Sequence, residues 1–270
     1  MARAHLRARG RTRHVSAQPF IRLVGVHKAY RGVGGERHLA IADVSFEVQP
    51  GELVALVGPS GCGKSTLLRI LAGLHHPDAG EVGIGSVGHP FDPSKDIGMV
   101  FQAPLLLKWR RILENVLLPA ELLGMPMAAA RERARDLLAL VGLHGCEHRY
   151  PHELSGGMQQ RAAIARALVH DPALILMDEP FGALDALTRE KMNLELLRIR
   201  DQARKTIVLV THGIPEAVFL GNRVIVLSAG PARVVDDFEI GLPFPRTLEL
   251  KTHEHFGTYT RRIYQSLGMT

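Results

Sequence analysis

Nine residues restrict the fold of this chain more than any other stretch: Gly58-Pro59-Ser60-Gly61-Cys62-Gly63-Lys64-Ser65-Thr66. Five apolar residues, Leu53 to Val57, lead into them, and Leu67, Leu68, Leu71 and Leu74 follow at helical spacing. The pattern predicts a short buried strand, a glycine-rich turn and a helix. Glycines let successive backbone N–H groups point inward, and the helix aims the positive end of its dipole at the same place. The resulting concavity suits a chain of phosphates. Gly58, Gly63, Lys64 and Ser65 stand at the fixed positions of a GxxxxGK[ST] loop, in which the lysine reaches the outer phosphates and the serine ligates Mg²⁺. Pro77-Asp78-Ala79-Gly80 predicts a turn that closes the unit.

Two further strands carry polar residues at their ends. Ala173 to Met177 is an apolar run that delivers Asp178-Glu179-Pro180. Ligands bind at the carboxyl edge of open α/β sheets. There Asp178 is a magnesium carboxylate, acting through a water, and Glu179 a general base for an attacking water. Asp-Glu-Pro read alone also serves to cap the next helix. Thr206 to Val210 ends in Thr211-His212. His212 is placed to hydrogen-bond a terminal phosphate, although a histidine after a strand is commonly structural. Farther along, Leu154-Ser155-Gly156-Gly157-Met158 precedes a helix predicted from about Met158 to Leu168, with Ser155 as its N-cap. Its exposed N–H groups form a second anion site. Residues 58–66 already take one phosphate chain, so this site requires another anion; the alternative is a plain helix cap with a flexible glycine pair.

Together these motifs resemble the ATP-binding subunits of ABC transporters, over residues 20 to about 240. Tyr30 is similar to the aromatic residue that stacks on adenine. Residues 58–66 resemble the Walker A loop, with Pro59, Ser60, Gly61, Cys62 and Thr66 among its ATP contacts. Phe101-Gln102 resembles the Q-loop, whose glutamine touches Mg²⁺ and the attacking water. Leu154 to Met158 resembles the signature motif, Leu176 to Pro180 Walker B, Ala183-Leu184-Asp185 the D-loop, and His212 the switch histidine. The resemblance implies an α/β P-loop NTPase fold with a mainly parallel sheet, a small antiparallel β-subdomain and a helical subdomain inserted at about 103–168. It also implies two copies that sandwich two ATPs, each between residues 58–66 of one chain and Ser155, Gly156 and Gly157 of the other. Met158 stands where many members have Gln, and Gly213 where the family usually has Asp, with Pro215 after it. Glycine is only slightly worse than Asp at a cap, so hydrolysis is expected to survive, with altered hinge behaviour near His212.

Composition limits the remaining classes. The net charge is +6, yet residues 1–14 hold five arginines and no acid. The rest is near neutral, which argues against a nucleic-acid-binding face. Residues 1–19 read as a basic, disordered tail without the apolar stretch of a signal peptide. No run approaches the roughly 18 apolar residues of a membrane span. Two cysteines, Cys62 and Cys146, fit a reducing cytosol. Cys62 lies beside helix N–H groups, which are expected to lower its pKa, so that alkylation would block ATP binding.

Residues 103–152 predict a mostly helical lobe: a dense apolar set through Leu118, a break at Gly124-Met125-Pro126-Met127, and an amphipathic helix from Ala128 to Leu140. Leu107-Lys108-Trp109 resembles a stretch that often reads Leu-Pro-Trp in importer subunits for nitrate, sulfonates and taurine. Glu216-Ala217-Val218 and Gly230-Pro231-Ala232-Arg233 are similar to the same branch. Trp109 stands either at the contact with a transmembrane permease or packed inside the lobe. Residues 245–270, with Phe256, Tyr259, Ile263, Tyr264 and Leu267 at helical spacing, predict a closing helix. The resemblance implies ATP-driven uptake of a small anion, with a permease and a solute-binding protein as partners. It implies a peripheral position on the cytoplasmic face of the inner membrane. The alternatives are an exporter subunit or a non-transport ABC ATPase. The chain lacks the long coiled coils of repair types and the second ATPase domain of translation types.

Overall fold

A computed structural model of the chain describes residues 18–32, 34–85, 90–182, 184–203 and 205–269. The arginine-rich stretch of residues 1–17 and Ala183 of the D-loop lie outside the described residues. The strands follow in chain order as β1 (Ile21–Arg31), β2 (Arg37–Val48), β3 (Leu53–Val57), β4 (Ala79–Ile84), β5 (Ile97–Val100), β6 (Leu174–Asp178), β7 (Thr206–Thr211), β8 (Arg223–Leu227) and β9 (Val234–Glu239). The helices are α1 (Lys64–Leu71), α2 (Pro93–Asp96), α3 (Ile112–Leu122), α4 (Met127–Leu140), α5 (Gly156–Leu168), α6 (Ala186–Ala203), α7 (Ile214–Leu220) and α8 (Glu254–Ser266).

Six strands form one sheet in the order β5-β6-β7-β3-β8-β9, parallel except for β9, which runs antiparallel to β8. A parallel sheet is covered on both faces, so its strands read as unbroken apolar runs. Period-2 alternation then divides each run between two cores. Leu53, Ala55, Val57, Ile175, Met177, Ile207 and Leu209 face α3, α5, α6 and α7. Val54, Leu56, Leu174, Leu176, Val208 and Val210 face α1 and a second, antiparallel sheet of order β2-β1-β4. The α/β architecture and the small antiparallel sheet agree with the sequence reading.

Three boundaries differ from it. Ala79 and Gly80 open β4 instead of completing a turn, because β1 offers them an antiparallel partner through the His27–Ala79 pairing. Asp78 holds the junction: its carboxylate accepts from Lys28 Nζ and from the Ala29 N–H, both at 2.8 Å. The signature helix begins at Gly156, two residues before the expected start, since the Ser155 cap sets the first turn directly after it. The C-terminal stretch is a 3₁₀ turn, Leu248–Thr252, followed by α8. Phe256 and Ile263 are buried, whereas Tyr264 is on the exposed side.

Helices α3, α4 and α5 pack together as the lobe. Buried Asn115 shapes the loop before α3: its amide donates to Leu107 O (3.0 Å) and Arg110 O (2.9 Å), and its oxygen accepts from the Leu107 N–H (2.7 Å). This loop presents Trp109 to solvent with 74% of its surface exposed. The reading in which Trp109 packs inside the lobe is therefore wrong.

Arg246 secures the far end of α7. Its Nη1 donates to Val218 O (3.2 Å), Phe219 O (2.8 Å) and Gly221 O (2.8 Å) while the side chain is buried. A cation at a helix C-terminus is favoured by the dipole. Burial, reinforced by Arg200, pushes the guanidinium down to about 10, so it stays charged at neutral pH. Arg246→Ala is expected to lower the unfolding free energy by about 2–4 kcal/mol in urea titration. Arg246→Lys recovers only part, because one ammonium lacks the planar fork that spans several carbonyls.

Candidate nucleotide-binding site

β3 is central in the sheet, and at its carboxyl end the chain turns through Gly58–Gly63 into α1. Gly63 has φ +117°, and a Cβ there would lie 2.6 Å from Ala40 O of β2, so only glycine fits. Lys64 Nζ donates to Gly58 O (2.8 Å) and Pro59 O (2.9 Å), which holds the ammonium across the loop. A cavity of about 440 Å³ opens above. Ser60, Gly61 and Gly63 to Thr66 line its floor, Tyr30 and His38 one wall, and Gln102 and Glu179 the other. Tyr30 meets His75 edge-on, at 5.8 Å between ring centroids. Sequence reasoning missed His38; on β2, among exposed neighbours, nothing in its pattern sets it apart.

Cys62 corrects one expectation. Its side chain turns away from the cavity into the core beneath α1, and is buried. Burial pushes the thiol above its usual range, against weaker lowering by Lys64 and by backbone hydrogen bonds. The nearby N–H groups do not outweigh desolvation.

The strand ends assemble the polar part of the site. Ser65 Oγ donates to Asp178 Oδ1 at 3.0 Å, joining α1 to the end of β6. Burial raises the Asp178 carboxyl, and the Glu179 charge adds to this; Ser65, Arg69 and Lys64 act in the opposite sense. A divalent cation would relieve that penalty. The hydroxyl, carboxylate and amide oxygens of Ser65, Asp178 and Gln102 are hard donors of the kind Mg²⁺ takes while keeping several waters. Glu179 has φ +47°, a left-handed conformation that costs a non-glycine residue about 1–2 kcal/mol. A hydrogen bond from its N–H to Val210 O (2.9 Å) on β7 holds it there. Its Oε2 lies 3.3 Å from Gln102 Nε2 and 3.0 Å from His212 Nδ1. The ends of β5, β6 and β7 thus bring Gln102, Glu179 and His212 around one carboxylate oxygen.

Ser155, Gly156 and Gly157 do not join this cavity. Ser155 Oγ accepts from the Met158 N–H at 3.3 Å, and Ser155 and Gly156 are exposed. A Cβ added to Gly156 would meet nothing within 4 Å.

The sequence profile of the family described as ABC transporter matches residues 41–182, more than half of the chain. The chain belongs to the ABC transporter family. This ABC cassette is 44% identical to a taurine import ATP-binding protein of Roseobacter denitrificans, over 85% of this chain and 87% of that one. It is 41% identical to an aliphatic sulfonates import ATP-binding protein of Bacillus cereus, over 83% and 87% of the two chains. A nitrate import ATP-binding protein of Synechococcus elongatus is 43% identical over 88% of this chain, which spans 36% of that longer protein. Among solved structures, a dimeric bacterial ABC transporter cassette superposes with TM-score 0.74 at 37% identity, over 83% of this chain and all of that one. A dimeric post-hydrolysis state bound to ADP and Pi superposes with TM-score 0.73 at 36% identity, over the same shares.

Two outcomes follow for the ABC cassette. Lys64→Ala is expected to weaken ATP binding at least about 100-fold in fluorescence titration with a labelled nucleotide, because it removes the ammonium held across the loop by Gly58 O and Pro59 O. Cys62 is expected to react with iodoacetamide at pH 7 far more slowly in the folded protein than after unfolding. Its thiolate forms only above the ordinary thiol range, so the folded rate rises with pH later than that of a free thiol; mass spectrometry of the Cys62 peptide measures both.

Proposed function

We propose that this chain is the ATP-hydrolysing subunit of an ABC importer for a small anion of the nitrate, sulfonate or taurine class. One observation carries the catalytic part: Gln102, Glu179 and His212 meet beside the Ser65–Asp178 pair, above the phosphate loop. ATP lies with Tyr30 against its base and its phosphates on the N–H groups of residues 58–66. Lys64 leaves its loop carbonyls for the β- and γ-phosphates. Ser65 and Gln102, with Asp178 through a water, would hold Mg²⁺, and the ion would supply charge neutralisation on the phosphate oxygens. Glu179 takes a proton from the water that attacks the γ-phosphorus in line as the bond to the bridging oxygen of departing ADP breaks, and His212 hydrogen-bonds the γ-phosphate.

Exposed Ser155 and Gly156, with half-buried Gly157 beside them, complete the site of a second copy. Their N–H groups and helix dipole meet the γ-phosphate held by the partner chain. The dimeric cassettes at 36–37% identity support this arrangement. ATP therefore draws two copies together, and hydrolysis lets them part. Trp109, Leu105 and Leu122 are exposed on the lobe and offer apolar side chains to a permease helix. The names of the taurine, sulfonate and nitrate relatives support the importer class and its anionic cargo. Among the described residues no helix is long and apolar enough to cross a membrane. On the importer reading, which the relatives' names support, we assign a peripheral position on the cytoplasmic face, a separate permease, and a solute-binding protein outside. We assign no nucleic-acid partner.

Glu179→Gln is expected to bind ATP within a few-fold of wild type, to hydrolyse it at least about 100-fold more slowly, and to elute as an ATP-dependent dimer on gel filtration. Wild-type turnover would remove Glu179 from the role of base. Trp109→Ala is expected to keep the ATPase rate of the isolated subunit and to lose most of the stimulation measured in vesicles containing permease and binding protein.

A further inference from the structure

His212 stands on a two-residue link between β7 and α7, and the link is held by an unusual chain of hydrogen bonds. The Gly213 N–H donates to Thr211 Oγ1 at 2.9 Å. The Thr211 hydroxyl donates in turn to Glu216 Oε2, in the first turn of α7. Thr211 is 2% exposed and Glu216 8%. Gly213 is the N-cap residue of α7 and has no side chain to cap it. The Thr211–Glu216 pair takes over the restraint that a capping side chain ordinarily supplies. It also occupies the space of such a side chain: a Cβ at Gly213 would lie 3.3 Å from both Thr211 Oγ1 and Glu216 Cβ.

The other oxygen of Glu216 has a separate task. Among the described residues nothing donates a hydrogen bond to Glu216 Oε1 or to Asn193 Oδ1 on α6, whose residue is 1% exposed. Both residues line a cavity of about 200 Å³ that reaches His212 and Glu179. Its cations are engaged elsewhere: Arg189 donates to Phe181 O and Leu184 O, and Lys251 pairs with Glu190. Buried acceptors find partners, and a polar cavity of this size has room for several waters. Both acceptors therefore belong to residues lining a space with room for water, behind the Glu179–His212 pair.

We propose that Glu216, acting through Thr211, is a positioning residue for His212, fixing the imidazole against Glu179 and anchoring water behind the pair. The inference rests on the reading of Glu179 as base and His212 as γ-phosphate contact. It reaches no atom of the nucleotide. Loss of the link therefore moves the reacting groups and leaves ATP binding on residues 58–66 intact.

Steady-state ATPase kinetics and nucleotide titration on the full-length protein test this, with thermal unfolding as a check on folding. Thr211→Val keeps the shape and removes the hydroxyl; it is expected to lower kcat about 10–100-fold, with KM and ATP affinity within about threefold of wild type. Glu216→Ala behaves alike. Thr211→Ser restores kcat to within about threefold, and Glu216→Gln, which still offers an acceptor to Thr211, keeps most of the rate. Glu179→Gln runs beside them. If Glu179→Gln turns over like wild type, the underlying reading fails. If it is slow while Thr211→Val and Glu216→Ala keep wild-type kcat, the positioning role is overturned. Parallel losses of stability, affinity and kcat without rescue by Thr211→Ser would overturn it equally, as they mark a purely structural pair.

Discussion

Parallel pairing aligns the carboxyl ends of β6, β7 and β3: Val57 lies opposite Thr211, and Val210 opposite Asp178. That register is the constraint on which the site depends. The phosphate loop leaves from Val57, His212 follows Thr211, and Glu179 follows Asp178, so three segments far apart in the chain arrive at one sheet edge. A one-residue slip would turn each strand's buried side chains to the opposite face. The two apolar cores, split by alternation along the same strands, therefore hold the chemistry in register.

At that edge the structure accepts local costs. Asp178 is desolvated beside Glu179, and Glu179 takes a left-handed backbone conformation. Each cost is held in place by a neighbour rather than relieved by solvent: Ser65 bonds Asp178, and Val210 bonds the Glu179 backbone. Such conformations persist only where the surroundings over-determine them. The same logic extends along α7. Thr211 and Glu216 tie its start, and buried Arg246 gathers the carbonyls of its end. The C-terminal segment thereby braces the helix that begins two residues beyond His212.

Much of this was legible in the residues. The strand–loop–helix around Gly58–Thr66, the carboxylates after an apolar run and the histidine after another are local signals, because each needs only a few neighbours in the chain. The lobe's helices were legible for the same reason, although the break ends at Pro126 and Met127 already opens α4. Signals failed where the outcome depended on a distant partner. Pro77–Gly80 looks like a turn until β1 pairs with Ala79. Cys62 looks activated by helix N–H groups until core packing desolvates it. His38 and Asn193 carry no motif at all, and Glu216 only a family likeness; all three gain meaning from what folds against them.

The sequence by itself determined the motif set, the family it resembles, and the α/β alternation, since periodicity and loop chemistry are written in contiguous residues. Tertiary structure alone decided which motifs share a cavity. It gathered Gln102, Glu179 and His212 around one oxygen, and it left Ser155, Gly156 and Gly157 outside that cavity. It also turned Trp109 outward, because Asn115 binds the backbone beneath it. The reason is common to all of these: a side chain's direction and desolvation are set by strand register and packing, which no stretch of chain holds on its own.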